Sequence, residues 1–262
     1  PWRRTSDPWR VLVSEVMLQQ TSVARVMPKY EAFLEAFPTP AALAQAPLGD
    51  ALRLWSGLGY PRRCRNLQAT AVVLHEQFNG RMPSTLDELL VLPGIGQYTA
   101  RAVLAFAHRI DVAVVDVNVS RVLSRLEGVP MKARALQELA DELIPEGLAW
   151  EWNQVMMDFG ARHCTVRSPQ CDSCPVRSQC RYKGVGEDPA QLSAGVSKPQ
   201  ARFEGSDRQA RGRAMKAVSS GAMNINDVVE AMRVEEQRAL ALIASLVNEG
   251  LLQRTDAIIT LP

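Results

Sequence analysis

The sequence predicts an all-α protein that carries a small winged-helix-like module at its C-terminal end. Apolar residues recur at helical spacing up to about residue 160, and short turns containing Pro or Gly separate the helical patterns. No convincing alternation of apolar and polar residues, the pattern of a half-buried strand, occurs before residue 185. The chain has 262 residues, of which 47% are hydrophobic and 22% are charged. It is therefore long enough for one large globular domain and a small one.

The first helix is predicted to begin at Pro8, with Asp7 as its N-cap. Its buried stripe consists of apolar residues at helical spacing, namely Trp9, Leu12, Val13 and Val16. Glu15 lies off the centre of this stripe, and a solvent-exposed glutamate is the ordinary interpretation of such a position. Further helices are predicted over residues 26–37, 39–46, 48–55, 66–78 and 83–90.

Residues 92–119 contain a glycine turn, a helix over residues 97–107 and an aspartate in an apolar run. We expect Gly94 and Gly96 to adopt backbone angles barred to other residues, and the turn to leave N–H groups unpaired at the start of the helix. Such a helix N-terminus binds anions, and a DNA phosphate fits it. Asp116 follows among valines, where an unpaired carboxylate is costly. Taken alone, these residues are interpreted equally well as a helix turn with a capping aspartate and asparagine.

Four cysteines follow three further helices, which are predicted over residues 119–126, 133–143 and 150–160. They are Cys164, Cys171, Cys174 and Cys180, with the spacing C-x6-C-x2-C-x5-C. Four thiols within 17 residues of a cytosolic chain indicate a metal site rather than disulfides. Zinc sites usually contain two close pairs of ligands, whereas this spacing has one, so a [4Fe–4S] cluster is favoured and zinc is the alternative. Cys64 lies apart and is expected to be a buried structural thiol.

The chain divides into a domain over residues 1–184, which includes the cysteine loop at 164–180, a linker over 185–206 and a module over 207–262. The linker is rich in Gly, Pro, Ser and Gln. Three helical patterns at 207–218, 225–232 and 235–248, followed by a hairpin with a turn at Thr255 and Asp256, predict the winged-helix-like module. DNA docking, protein docking and a merely structural role are all open for it. The basic residues of its first helix, Arg208, Arg211, Arg213 and Lys216, are expected to suit phosphates.

Three short motifs add to the glycine turn and the cysteine spacing. They are SEVMLQQT at residues 14–21, GLGY at 57–60 and WNQVMMDFGA at 152–161. Together these features resemble the MutY-type adenine DNA glycosylases, which form part of the iron–sulfur branch of the helix–hairpin–helix DNA glycosylases. The resemblance covers roughly residues 1–183. It implies a six-helix barrel and an iron–sulfur cluster domain with a cleft between them, and removal of adenine mispaired with 8-oxoguanine or guanine in double-stranded DNA.

The chemistry of this reaction asks for two carboxyl groups, because adenine is a poor leaving group and its departure leaves positive charge on the sugar. By resemblance, Glu15 protonates adenine at N7, Asp116 stabilises the cationic sugar, and Asn118 helps to hold the sugar or water. The adenine must first be flipped out of the duplex. DNA contacts are implied at the adenine pocket (Trp2, Arg3), the base stack (Gln20, Tyr60), the opposing base (Thr21, Leu58) and a phosphate (Gly94, Gly96).

Tyr98 stands where strand-nicking members of the fold have a lysine that acts as a Schiff-base nucleophile, which implies a monofunctional enzyme. A thymine or uracil mismatch glycosylase of the same fold is one alternative, although residues 17–21 argue against it. A non-catalytic iron–sulfur DNA-binding regulator is another, although it leaves Glu15 and Asp116 unexplained. Two departures from the family pattern are Pro61 after Tyr60, and a C-terminal part too short and too helical for the pyrophosphohydrolase-like domain that recognises 8-oxoguanine.

The charge distribution agrees with a DNA partner. The formal net charge is only +2, but basic residues cluster at 161–183 and 202–216, which suits local contact with a polyanion. The sequence has no apolar run of membrane-spanning length and no secretory signal pattern. We therefore expect a monomeric cytoplasmic protein that associates with the bacterial nucleoid.

Overall fold

The computed structural model describes residues 1–195 and 202–262. Its regular secondary structure is almost entirely helical, which confirms the predicted all-α class. Up to residue 195 these are α1 (Pro8–Leu18), α2 (Val23–Ala36), α3 (Pro40–Gln45), α4 (Leu48–Trp55), α5 (Arg62–Gln77), α6 (Leu86–Leu90), α7 (Gln97–Phe106), α8 (Val117–Glu127), α9 (Ala133–Glu142) and α10 (Ala149–Arg162). Short 3-10 helices lie at Trp2–Arg4 and Pro189–Leu192. No helix in the described ranges is long and apolar enough to cross a membrane.

Helix α1 begins where its capping residues predict. The Asp7 side chain accepts a hydrogen bond from the backbone N–H of Arg10 at 3.0 Å, and Pro8 fills the first helical position. Helices α2, α5 and α7 pack around α1, so nearly every face of it is buried. Glu15 is consequently only 8% exposed, and its interpretation as a solvent-exposed glutamate is wrong. A carboxyl group in such a place must be protonated or paired, because an isolated buried charge is very costly.

Helix α5 begins at Arg62, four residues before its predicted start. Its N-cap is Pro61, whose φ of −61° and ψ of −19° already match a helix, so the proline starts the helix rather than interrupting the chain. The earlier start places Arg62, Arg63 and Arg65 on the first turn of α5, directly after the GLGY motif.

The helices enclose two apolar cores. The larger core is built from α1 to α7 and includes the thiol of Cys64, which is fully buried as predicted. The smaller core lies between α8 and α9 and is lined by Ala113, Val119, Leu123, Leu136 and Ala140. Met157 of α10 packs against both cores. Residues on α1 and α7 therefore face residues at the start of α8 and on α10 across the boundary between them.

The expected linker is in part a fixed segment. Asp188 forms an ion pair of 2.7 Å with the buried guanidinium of Arg125, and the 3-10 helix that follows packs against α8. Ser193 accepts a hydrogen bond from the backbone N–H of Met131 at 2.9 Å. A buried arginine needs an anionic partner, which explains why this stretch is held to the domain despite its loop-like composition. Residues 196–201 of the expected linker lie outside the described residues.

The C-terminal module has the predicted three helices, α11 (Asp207–Ala217), α12 (Ile225–Met232) and α13 (Glu236–Asn248). It also has three short strands, β1 (Met223–Asn224), β2 (Gln253–Thr255) and β3 (Ile258–Thr260), in one antiparallel sheet of order β1-β3-β2. The hairpin of β2 and β3 matches the expectation, with Asp256 at a φ of +54° in its turn. The two-residue strand β1 is too short for its pattern to be read from the sequence.

The module packs directly against the larger domain. Its apolar residues belong to the same continuous core as those of α1 to α7. The backbone N–H of Gly49 donates to the carbonyl of Pro262 at 2.7 Å, and Arg53 donates to the carbonyl of Ser219 at 3.2 Å. The two parts of the chain therefore fold against one another.

Candidate active site

Glu15 is held inside the protein beside two other polar groups, Tyr98 and Asp116. Burial raises the pKa of Glu15 to about 7, and the negative charge of Asp116 acts in the same direction. A hydrogen bond from the Tyr98 hydroxyl and the positive charge of Arg3 oppose this rise. Near neutral pH, Glu15 is thus present in both its protonated and its ionised form. A carboxyl group with this property can act as a general acid.

Asp116 is the N-cap of α8. One of its carboxylate oxygens accepts from the backbone N–H groups of Asn118 and Val119 at 2.8 and 2.7 Å, and the other accepts from the Asn118 side-chain amide at 2.8 Å. The interpretation as a capping residue is therefore correct as local structure. These three hydrogen bonds fix the position of the carboxyl group at the N-terminus of α8. Capping thus also orients this group beside Glu15.

Asn118 is itself fixed by two neighbours. Its side-chain oxygen accepts from Arg121 at 2.9 Å, and the same guanidinium donates to the carbonyls of Gly160 and Cys164 at 2.6 and 2.7 Å. A Cβ at Gly160 would lie 2.7 Å from the Cβ of Asn118, so only glycine permits this approach of α10 to α8. Sequence reasoning missed Arg121. The available signal was a charged residue among the apolar positions of α8.

Arg3 and Asp158 close one side of the site. Two hydrogen bonds of 2.9 and 2.8 Å join the guanidinium to the carboxylate, which ties the N-terminal turn to α10. The guanidinium is also close enough for its charge to lower the pKa of Glu15. Trp2 packs edge-on against Tyr30 at a ring distance of 5.4 Å. Asp158 lies within the third motif but was not singled out from the sequence.

The glycine turn between α6 and α7 uses its two glycines differently. Gly94 has a φ of +76°, and a Cβ there would lie 2.7 Å from the Cβ of Asn66. Gly96 has a φ of −102° and a ψ of 178°, which any residue can adopt, so the expected special backbone angle at this position is wrong. A Cβ at Gly96 would meet nothing within 4 Å. Gly96 therefore leaves the N-terminus of α7 uncovered, as close approach of a phosphate requires.

Arg63 joins the two segments that carry most of the expected DNA contacts. It donates to the carbonyls of Val16 and Met17 at 2.6 and 3.0 Å, at the end of α1. Its other amino group donates to the Thr21 hydroxyl and to the carbonyls of Leu58 and Gly59, all at 3.1 Å. This network fixes residues 16–21 against residues 57–60.

The DNA-facing candidates differ in exposure. Gln20 is exposed and has a φ of +55°, and Tyr60 is half-buried with a φ of +48°. The side chain of Leu58 is only 4% exposed and packs into the core, and a contact of this residue with the opposing base stays a prediction. Its carbonyl instead accepts from Thr21 at 3.0 Å and so shapes the loop.

The four cysteines of the loop line one cavity. All are free thiols, and the cavity is bounded by Arg125 and Tyr182. Arg125 donates to the sulfur of Cys164 at 3.3 Å, and the backbone N–H of Lys183 donates to that of Cys180 at 3.4 Å. Within the described residues, no group of three or more His, Cys, Asp or Glu is arranged to hold a metal ion. The donor set is nonetheless the chemistry that an iron–sulfur cluster requires, namely four thiols with N–H donors to sulfur.

Comparison with known proteins shows which family this chain resembles. Residues 13–146 match the model of the HhH-GPD superfamily of base excision DNA repair proteins. The adenine DNA glycosylase of Mycolicibacterium smegmatis is 41% identical over 264 aligned positions, which cover 97% of this chain and 88% of that protein.

Two solved structures are also similar. A thermostable thymine-DNA glycosylase has a TM-score of 0.66 and 31% identity, with 70% of this chain and 88% of that chain covered. A trapped endonuclease III–DNA covalent intermediate has a TM-score of 0.62 and 30% identity, with 68% and 84% covered. The match to the mycobacterial enzyme extends through the C-terminal module, and the chain belongs to the adenine DNA glycosylases of the HhH-GPD superfamily.

Proposed function

We propose that this protein removes adenine mispaired with 8-oxoguanine or guanine from duplex DNA by hydrolysing its N-glycosidic bond, without nicking the strand. The observation that carries the proposal is the pair of unlike carboxyl groups. Glu15 is buried with a pKa of about 7, whereas Asp116 accepts three hydrogen bonds at a helix N-terminus. Such a pair supplies one proton donor and one anion in the same site.

The reaction begins when adenine is extruded from the duplex into the cleft. Protonated Glu15 donates its proton to adenine at N7, which makes the base a better leaving group. Asp116 stabilises the positive charge that develops on the sugar as the glycosidic bond breaks, and a water molecule then adds to C1′ of the sugar and releases a proton to solvent. Asn118, held by Arg121, fixes the carboxylate of Asp116 and helps to hold the sugar or water.

Tyr98 accounts for the absence of strand cleavage. Its hydroxyl donates a hydrogen bond to Glu15, so it helps to hold the acid in place. A phenol cannot form an imine with the sugar, whereas an amine at this position can. The product is therefore an intact strand with an abasic site.

The four cysteines are proposed to hold a [4Fe–4S] cluster, which when bound cross-links the loop of residues 164–180. Arg125 anchors the loop, since it donates to the carbonyls of Thr165 and Val166 at 2.7 and 3.1 Å and pairs with Asp188. A monomer in the cytoplasm, associated with the nucleoid, fits these assignments.

A thymine mismatch glycosylase is the second candidate, because a thermostable thymine-DNA glycosylase has the same fold. Adenine is favoured by the relative that matches 97% of the chain. The test is incubation with duplexes that differ only in the mispair, with the released base identified and strands scored before and after alkali. Adenine release from 8-oxoguanine·adenine and guanine·adenine, with breaks only after alkali, supports the proposal. Release of thymine or uracil, or of no base, overturns it.

A further inference from the structure

One of the contacts between the C-terminal module and the larger domain is made by the carboxylate of Glu249. One oxygen of this group accepts from Arg62 of α5 at 2.7 Å and from Arg211 of α11 at 2.6 Å, and the other accepts from Ser245 at 2.8 Å. Arg65 donates to the backbone carbonyl of Glu249. The Glu249 side chain is only 10% exposed, and the hydrogen bond from Arg62 is the main cause that lowers its pKa to about 2. The contact therefore stays ionised at any ordinary pH.

Tyr60 is contacted from both parts of the chain. The guanidinium of Arg63 lies 5.5 Å from the centre of its ring. From the module, Arg208 donates to its hydroxyl at 3.2 Å. The backbone φ of +48° at Tyr60 is uncommon for an aromatic residue and persists only where surrounding contacts hold it. One of those contacts comes from the module.

The two contacts lie close together along the chain. Tyr60 is followed by Pro61 and then by Arg62, which binds Glu249. The module thus holds the loop at Tyr60 itself and again two residues later, at the first turn of α5.

The exposed face of α13 is poorly suited to bind DNA. In a winged-helix arrangement, α13 occupies the position of the helix that enters a DNA groove. Its exposed residues are Glu236, Gln237, Arg238, Leu240, Ala241, Ala244 and Asn248. The single basic side chain among them, Arg238, forms an ion pair with Asp207 at 2.6 Å. Phosphate binding needs unpaired basic groups, so this face does not provide it.

The basic residues of α11 also serve internal contacts. Arg211 donates a hydrogen bond to the carboxylate of Glu249, and Arg213 donates to the carbonyl of Met232 at 3.1 Å. The expectation that these side chains suit phosphates is therefore wrong for Arg211, which pairs with a carboxylate, and stays a prediction for Arg213. Lys216 is exposed.

We propose that the module is a fixed support for the DNA-reading loop at residues 57–60. Arg208 and the Glu249–Arg62 contact are its positioning residues, and they hold Tyr60 in the conformation that enters the base stack. The inference rests on the proposed function, since it assigns the module to the flipping step of that reaction. It gives the module a role without a separate DNA site or a lesion-reading pocket.

The test compares Glu249→Gln and Arg208→Met with Glu236→Gln, a matched change at an exposed glutamate of the same module. Thermal unfolding first establishes which variants are folded at the assay temperature. Adenine release is then measured with saturating enzyme on a guanine·adenine duplex. Residues in direct contact typically couple strongly enough for about a tenfold effect. We expect Glu249→Gln and Arg208→Met each to slow release by about tenfold, and Glu236→Gln to leave it unchanged.

A double-mutant cycle separates support of Tyr60 from general destabilisation. Tyr60→Phe keeps the ring and removes the hydroxyl that Arg208 contacts. The double variant Tyr60→Phe/Arg208→Met should therefore release adenine no more slowly than the slower of the two single variants. Losses that multiply would overturn the inference, as would full activity in folded Glu249→Gln and Arg208→Met.

A second readout keeps this test independent of the chemistry. The fluorescence of 2-aminopurine placed at the mispaired adenine reports unstacking, and we expect wild-type protein to increase it more than Glu249→Gln does. If wild-type protein unstacks the base more than Glu249→Gln does but releases no adenine, the proposed function fails and the support role stands. If adenine is released and unstacking is equal in both proteins, the support role fails and the proposed function stands.

Discussion

Replacement of Glu15 by Gln tests the proton donor with the least disturbance of the fold. Glutamine has nearly the same shape, and its amide can still accept the hydrogen bond from Tyr98. The variant should therefore fold and bind duplex DNA with little change. It cannot protonate the base, so adenine release should fall.

The expected loss of adenine release is set by the contribution of Glu15 as a proton donor. With a pKa of about 7, about half of the molecules carry the proton at pH 7. A glutamate with an ordinary pKa near 4.3 would carry it in about one molecule in 500, so the raised pKa of Glu15, of which burial is the main cause, increases the population of the acid by about two orders of magnitude. General acid catalysis typically contributes about 10²–10⁴-fold, and we expect a loss in that range.

The assay is single-turnover release of adenine from a guanine·adenine duplex, with the affinity for the duplex measured separately. Glu31→Gln, at an exposed position of the neighbouring helix α2, is the control. A release rate in Glu15→Gln within a fewfold of wild type would refute the assignment of Glu15 as the acid.

Further outcomes follow from the same structure. Gly94→Ala should destabilise the fold by about 1–3 kcal/mol in denaturant unfolding, because its φ of +76° is strained for alanine. Gly96→Ala should leave the stability unchanged yet weaken DNA binding. The reverse pattern in the two variants would contradict the account. Purified protein should contain about four iron atoms per molecule, and Cys174→Ser should lose them. Zinc in place of iron would contradict the cluster. Because Tyr98 replaces an amine, borohydride should trap no covalent adduct with DNA, and a high yield of adduct would exclude the monofunctional mechanism. The folded-state pKa of Glu15 lies above the unfolded value near 4.3, so the stability of the wild-type protein should fall as the pH rises from about 4 to 7. Thermal unfolding of Glu15→Gln should not show this fall. An identical pH dependence in both proteins would contradict burial of an ionisable group.

The local signals in the sequence predicted much of the fold. The Asp7–Pro8 start of α1 and the winged-helix-like hairpin follow from capping and turn chemistry, which depend on neighbouring residues only. The burial of Glu15 could not be predicted in this way. It arises because three helices surround α1, and a periodicity within one helix does not report on that.

The fixed segment after the cysteine loop shows the same limit. Its composition is that of a linker, but Asp188 pairs with the buried charge of Arg125, which lies 63 positions away. Arg121 and Asp158 were missed for the same reason, since each is explained by a partner on another helix. The α11 arginines were assigned to phosphate by their charge, but Glu249 shows that one of them has an internal partner.

The pH dependence of adenine release tests the central claim most directly. With saturating enzyme, the rate should be nearly constant below a pH of about 7 and should fall about tenfold per pH unit above it, because Glu15 must be protonated to act. Glu15→Gln should show only a low rate that lacks this transition. A wild-type rate that stays constant or rises between about pH 6 and 9 would show that no buried acid with a pKa near 7 drives the reaction.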